Sequence, residues 1–230
     1  MKTVVFDIET VSRPWLDLDP LQRERLTRYS EDHEDFLRRK EGGALSPYAG
    51  KVVVIAMLNP ETGRGIVWYE ADGERTARAS EDGLFEYVGC DEPTMLREFW
   101  EKVDKFDRFV SFNGRAFDGP FLSVRSAVHA LSPSKNLSGY RYSVESHVDL
   151  LEVLTFYGTV SRDQWPSLHS ACLAFGIPSP KSEEMHGYAV GDAYREGRLA
   201  EVAEYCRRDV EATAALFKRL EPTLLPLFKR

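Results

Sequence analysis

The sequence predicts a single α/β domain over residues 1–230, a mixed central sheet with helices on both faces. Three observations lead there. A β-hairpin pattern in the first third calls for antiparallel strands, and strand–helix units further on call for parallel crossovers. No linker-like shift in composition divides the chain. With 43% hydrophobic and 12% aromatic residues, it has the apolar side chains for one sizeable core.

Taken in order, residues 2–8, KTVVFDI, are rich in β-branched and aromatic side chains and read as the first strand. The charge-dense stretch 14–41 reads as a surface helix stopped by Gly42-Gly43, and 14–50 as a charged helical insertion after that strand. GKVVVIAMLNPETGRGIVWYEA, residues 50–71, gives two strand-like runs around a turn, hence the hairpin. Its GxG is no dinucleotide fingerprint, since no helix follows and the third glycine is missing. DEPTMLREFWEKVDKF reads as a helix whose core face is Leu96, Phe99, Trp100 and Val103. RFVSF is a short strand, and the helical spacing after Asn113-Gly114 makes strand–turn–helix the better reading than a hairpin. YSVESHVDLLEVLTFYG gives a short strand running into a helix, and SLHSACLAFGI a helix ended by Gly176. A long helix begins after Gly197.

Composition narrows the function classes. The chain passes from Met1-Lys2-Thr3 straight into a strand with an acid at position 7, which is not a secretory signal, and no apolar run approaches a membrane span. Cys90, Cys172 and Cys206 are widely spaced and outside any CxxC pair, which suits a reducing cytoplasm and argues against structural zinc. A net charge of −7 and a pI near 5.4 speak against a protein that coats duplexes, which would show a basic stripe. They allow one that grips a few nucleotides at a strand end, where bound cations face the phosphates.

Asp7 and Glu9 stand two apart in the first strand, so both carboxylates project to one face while Phe6 and Ile8 project to the other. Like charges so placed in a semi-buried strand need protonation or a counter-charge, unless the strand is a wet edge. Asp118 opens a predicted helix, where N-capping is the ordinary role of aspartate. On the last helix the apolar stripe runs Leu199, Ala203, Cys206, Val210, Phe217, and Asp209 lies at its margin beside Val202, Tyr205, Thr213 and Leu216. A carboxylate there wants a metal, a base or a strong donor. Oxygen ligands without His or Cys suit Mg²⁺ or Mn²⁺, and four acids from three segments fit two-metal phosphoryl chemistry. His147 and Asp149 share a strand face, but two ligands are not a site and a satisfied structural histidine is the simpler reading.

FDIET, SFNGRAFDGPFL and YCRRDVEATAALF resemble, in order, the three motifs of the DEDD superfamily of 3′–5′ exonucleases. The third is in the tyrosine form, since the position five before Asp209 is Glu204 and not histidine. The chain resembles the stand-alone bacterial and phage exonucleases related to the proofreading domain of family B DNA polymerases. The resemblance spans nearly the whole chain and implies a ribonuclease H-like fold. It implies that Asp7 bridges two divalent cations, that Glu9 and Asp209 complete one site, and that Asp118 acts on the second metal through water. Tyr205 would orient the attacking water. Glu9 would also contact the 3′ hydroxyl, Asn113 would hold the strand, and Phe117, like Phe112, offers a ring for base stacking or for the core. His169 stands at a position that carries an acid or amide in relatives, and no role follows.

The implied activity is metal-dependent 3′–5′ exonucleolysis, with single-stranded DNA as substrate and nucleoside 5′-monophosphates as products. An RNA exonuclease of the same fold and a catalytically silent nucleic-acid-binding module are the alternatives. No polymerase domain follows in the chain, so proofreading in cis is not expected. A protein partner in DNA repair or replication would deliver substrate to so acidic a chain.

Overall fold

The computed structural model describes residues 1–180 and 189–228. Along the chain run β1 (Thr3–Ser12), α1 (Pro20–Thr27), α2 (His33–Glu41), β2 (Gly50–Leu58), β3 (Gly65–Glu70), β4 (Thr76–Ala79) and β5 (Phe85–Cys90). There follow α3 (Glu92–Val103), β6 (Arg108–Ser111), α4 (Asp118–Val128), β7 (His147–Asp149), α5 (Leu150–Leu154), α6 (Leu168–Ala174), α7 (Val190–Arg195) and α8 (Leu199–Leu220). The strands form one seven-stranded sheet in the order β4-β5-β3-β2-β1-β6-β7. β1/β2, β2/β3 and β4/β5 are antiparallel, whereas β1/β6, β6/β7 and β3/β5 are parallel. The mixed sheet and its helices are the α/β architecture the sequence predicts.

Alternation along β1 sorts its side chains between two cores. Val4, Phe6 and Ile8 pack with Met95, Leu96 and Phe99 of α3 and with Phe121 and Leu122 of α4. Val5 and Val11 pack on the other side with Val202, Cys206, Val210 and Phe217 of α8. Each fully buried large apolar side chain contributes about 1.5–3 kcal/mol, so both faces of β1 are firmly held.

The structure departs from the sequence reading at three places. The insertion is not one helix, because it contains two helix starts. Asp19 caps α1 through the N–H groups of Leu21 and Gln22, with Pro20 in the first turn, and Asp32 accepts the N–H of Asp35 at 2.7 Å where α2 begins. Residues 71–90, to which the sequence reading assigns no element, hold β4 and β5. β4 is fully exposed and shows no apolar alternation, and β5 is fixed by parallel pairing to β3, from Gly65↔Phe85 to Glu70↔Cys90. α7, too short to show a period, was also not anticipated. The hairpin turn is as expected, with Asn59 donating to the Arg64 carbonyl at 2.9 Å and Gly63 at φ +69°.

β1 pairs with β6 only from Thr3 to Val5. Beyond Val5 the β6 side of the strand is open, and the start of α4 approaches there. This gap in the sheet positions the site.

Candidate active site

Asp7 and Glu9 project from β1 on the face of Val5 and Val11, toward α8. Both are partly buried, and a register shift between Glu9 and Thr10 follows directly after them. On α8, Tyr205 and Asp209 lie one turn apart and buried, close enough for the carboxylate to raise the phenol pKa. Cys206 approaches Asp7 with its sulfur 3.7 Å from both the main-chain oxygen and Oδ2. Its Sγ and one oxygen each of Asp7 and Glu9 lie within 4.8 Å of one another.

Asp118 enters from α4 and is buried. The N-capping expectation does not hold for it: Phe117 occupies the cap position and no side chain caps the helix. Asp118 Oδ1 instead accepts the N–H of Ile8 at 3.1 Å, filling the hydrogen-bonding gap that β6 leaves on β1. The turn before it is tight. A Cβ on Gly114 would meet the Ser111 side chain at 2.5 Å and Asp118 Oδ2 at 3.2 Å, so only glycine fits.

Three segments thus bring Asp7, Glu9, Asp118 and Asp209 into one electrostatic unit. The Asp7 carboxyl is held well above the usual carboxylate range, first by burial and then by Asp118, Asp209 and Glu9. Glu9 is raised by burial, Asp209 and Asp118. Asp118 is pushed up to about 7, chiefly by burial. The Tyr205 phenol is raised by burial and then by Asp209, Glu9 and Asp7, which keeps its proton in place. Of the α8 arginines, Arg207 pairs with Asp82 and Glu211, while Arg208 donates from Nε to the Pro180 carbonyl at 3.2 Å and lies 5.9 Å from the Tyr205 ring centroid. Converging carboxylates form an oxygen donor set suited to hard divalent cations. The residues present therefore fit such ions.

The remaining residues singled out from sequence fall as follows. Asn113 is exposed with φ +67°, and its N–H donates to Asp149 Oδ1 at 3.0 Å. Phe117 packs on Phe121, ring centroids 5.4 Å apart, and Phe112 packs against the α8-side core. His147 bonds Ser111 Oγ at 2.7 Å and the Leu137 carbonyl, while Asp149 caps α5, so neither acts as a metal ligand here. His169 Nδ1 lies 2.6 Å from Ser179 Oγ. Glu204 turns away to Tyr87 on β5. The sequence reading missed the contact of Cys206 with Asp7, because on an apolar stripe a cysteine looks like any small core residue.

A mixed sheet with acids gathered where β1 meets α4 and α8 is a ribonuclease H-like α/β fold. The chain belongs to the family described as "predicted 3′-5′ exonuclease related to the exonuclease domain of PolB", whose model matches residues 70–224. That range includes Asp118, Tyr205 and Asp209 and begins after Asp7 and Glu9. In structure the chain is similar to the family B DNA polymerase from the hyperthermophilic archaeon Pyrobaculum calidifontis, with a TM-score of 0.59 and 20% identity. The match covers 96% of this chain and 24% of the polymerase. No curated protein matches the sequence. Among the described residues no helix is long and apolar enough to cross a membrane.

Proposed function

We propose that this protein is a divalent-cation-dependent 3′–5′ exonuclease that removes nucleoside 5′-monophosphates from single-stranded DNA ends. The observation that carries the reading is the convergence of Asp7, Glu9, Asp118 and Asp209, from three distant segments, with Tyr205 one helical turn from Asp209.

In this reading Asp7, Glu9 and Asp209 would hold the Mg²⁺ or Mn²⁺ ions, with Asp118 acting through water while its Oδ1 accepts the N–H of Ile8. Bound cations supply activation of the attacking water and stabilisation of the leaving oxygen. Tyr205 keeps its proton and orients that water as a hydrogen-bond donor, because its neighbours hold the phenol in the neutral form. Asn113, exposed on the turn leading to Asp118, contacts the strand, and Phe117 backs that turn. A net charge of −7 suits a protein that receives its substrate from a partner.

The test is a 5′-labelled single strand incubated with Mg²⁺ or Mn²⁺, in parallel DNA and RNA forms. A ladder shortening from the 3′ end is expected on DNA. Asp7→Ala and Asp209→Ala should each lose more than about 100-fold, since even outer-sphere partners of a metal site are worth 10–100-fold. No ladder, or variants as active as wild type, overturns the assignment; a ladder on RNA alone overturns the substrate.

A further inference from the structure

Outside the carboxylate site, five aromatic side chains form a continuous ladder flanking β7. Ring centroids lie 5.9 Å apart for Tyr140–Tyr142, 5.3 Å for Tyr142–Tyr157, 5.3 Å for Tyr157–Phe228 and 5.6 Å for Phe228–Phe156. Much of this surface is open to water: Tyr140 is 70%, Tyr142 53% and Phe156 43% exposed. Two consecutive bulky residues, Phe156 and Tyr157, have φ of +49° and +56°, a left-handed backbone that such side chains avoid. Burial does not account for that strain at Phe156, whose ring stays exposed. Strain of this kind gathers where a surface binds something.

The ladder is tied to the carboxylate site from both ends. Arg115, buried in the turn between Asn113 and Asp118, donates to the Tyr140 carbonyl at 2.9 Å and the Ser143 carbonyl at 3.1 Å. The Tyr140–Tyr142 loop therefore hangs from the turn that presents Asp118. At the other end, Asp149 accepts the main-chain N–H groups of Asn113 and Arg115 at 3.0 Å and caps α5. That helix spans about 7.5 Å at 1.5 Å per residue before Phe156. The charge also favours a polyanion. In a chain of net charge −7, residues 119–144 and 153–162 contain no Asp or Glu. Arg141, 57% exposed, pairs with Glu152 at 3.3 Å and lies 6.0 Å from the Tyr142 ring centroid.

We propose that this ladder is a base-stacking platform for single-stranded nucleic acid, holding nucleotides upstream of the 3′ end that the carboxylate site cuts. Every base presents a π-face, so aromatic rings grip a strand without reading its sequence. The platform rests on the exonuclease reading for the direction of the strand, and its test separates the two.

The probe is fluorescein-labelled (dT)₁₂, measured by anisotropy in EDTA so that binding is read without hydrolysis. The pair Tyr140→Ala/Tyr142→Ala should weaken binding roughly 10-fold or more, and Tyr140→Phe/Tyr142→Phe should bind as wild type does. Where divalent cations support turnover, the alanine pair should raise KM for (dT)₁₂ with kcat unchanged. Its hydrolysis of thymidine 5′-(p-nitrophenyl phosphate), too short to reach the ladder, should match wild type. Circular dichroism checks folding, and the single Tyr140→Ala, at the most exposed ring, is the second variant. Unchanged affinity and KM in both alanine forms overturn the platform, as does a phenylalanine pair as weak as the alanine pair. A wild-type dimer that the alanine pair dissociates overturns it in favour of a protein interface. Binding lost in the alanine pair while wild type hydrolyses nothing keeps the platform and overturns the exonuclease reading.

Discussion

The Asp118 carboxylate accepts the main-chain N–H of Ile8 at 3.1 Å, joining residues 110 positions apart. One oxygen of this acid thus completes the hydrogen bonding of β1 where β6 has ended, while its charge acts on Asp7 and Glu9. Its structural and chemical roles separate by substitution. Asp118→Asn keeps an acceptor for Ile8, whereas Asp118→Ala leaves a buried donor without a partner, at about 1–3 kcal/mol. In metal-free protein, chemical denaturation at neutral pH should find the alanine variant less stable than the asparagine variant by that amount. Equal stabilities would mean that water or a shifted backbone satisfies Ile8.

The acid cluster also sets how stability depends on pH. A carboxyl whose folded-state pKa is raised binds its proton more tightly in the folded state. Its stabilising contribution is complete below the unfolded value and is lost as pH rises through the folded one. For Asp118 the window runs from 3.8 to about 7 and carries about 4 kcal/mol of linked free energy. Metal-free wild type should therefore lose stability relative to Asp118→Asn between pH 4 and pH 7, read as diverging denaturation midpoints in EDTA. Mn²⁺ or Mg²⁺ at pH 7.5 should restore wild type more than the variant. Parallel pH curves for the two proteins would remove Asp118 from the coupled cluster.

Tyr205 offers a test of orientation against proton abstraction. Burial and three carboxylates raise its phenol pKa, so in the proposed reaction it would act as a donor and not as a base. Tyr205→Phe removes the donor and keeps the ring, and kcat should fall about 10–100-fold without reaching zero. The kcat–pH profile should keep its shape. A wild-type rate would take Tyr205 out of the mechanism, and a lost alkaline limb would make it the titrating group.

What could be read from the sequence followed local rules. Alternation put Asp7 and Glu9 on one face of β1, and turn spacing put Tyr205 with Asp209 on α8. The hairpin, the helix stop at Gly176 and the helix start after Gly197 came from equally local signals. What stayed hidden was non-local. β5 takes its place by pairing with β3, and the exposed TARA of β4 carries no period. The hold of Ile8 on Asp118 spans 110 residues, and no local pattern distinguishes it from N-capping. Cys206 reads as apolar stripe until its sulfur is seen 3.7 Å from Asp7 Oδ2.

Asn113 combines a backbone role with a proposed substrate contact, and glycine separates them. Its φ of +67° is left-handed, and its N–H is held by Asp149 Oδ1 at 3.0 Å. Asparagine tolerates that conformation, glycine adopts it freely, and alanine loses about 1–2 kcal/mol there. Asn113→Gly should therefore fold with a midpoint near wild type, and Asn113→Ala should be less stable. Both lack the amide. If the amide contacts the strand, KM for a labelled single strand should rise several-fold in both variants alike, although their stabilities differ. A glycine variant with wild-type KM beside a weakened alanine variant would confine Asn113 to shaping the turn. The contact with substrate would then fall to main-chain groups of that turn, whose geometry the hydrogen bond to Asp149 maintains.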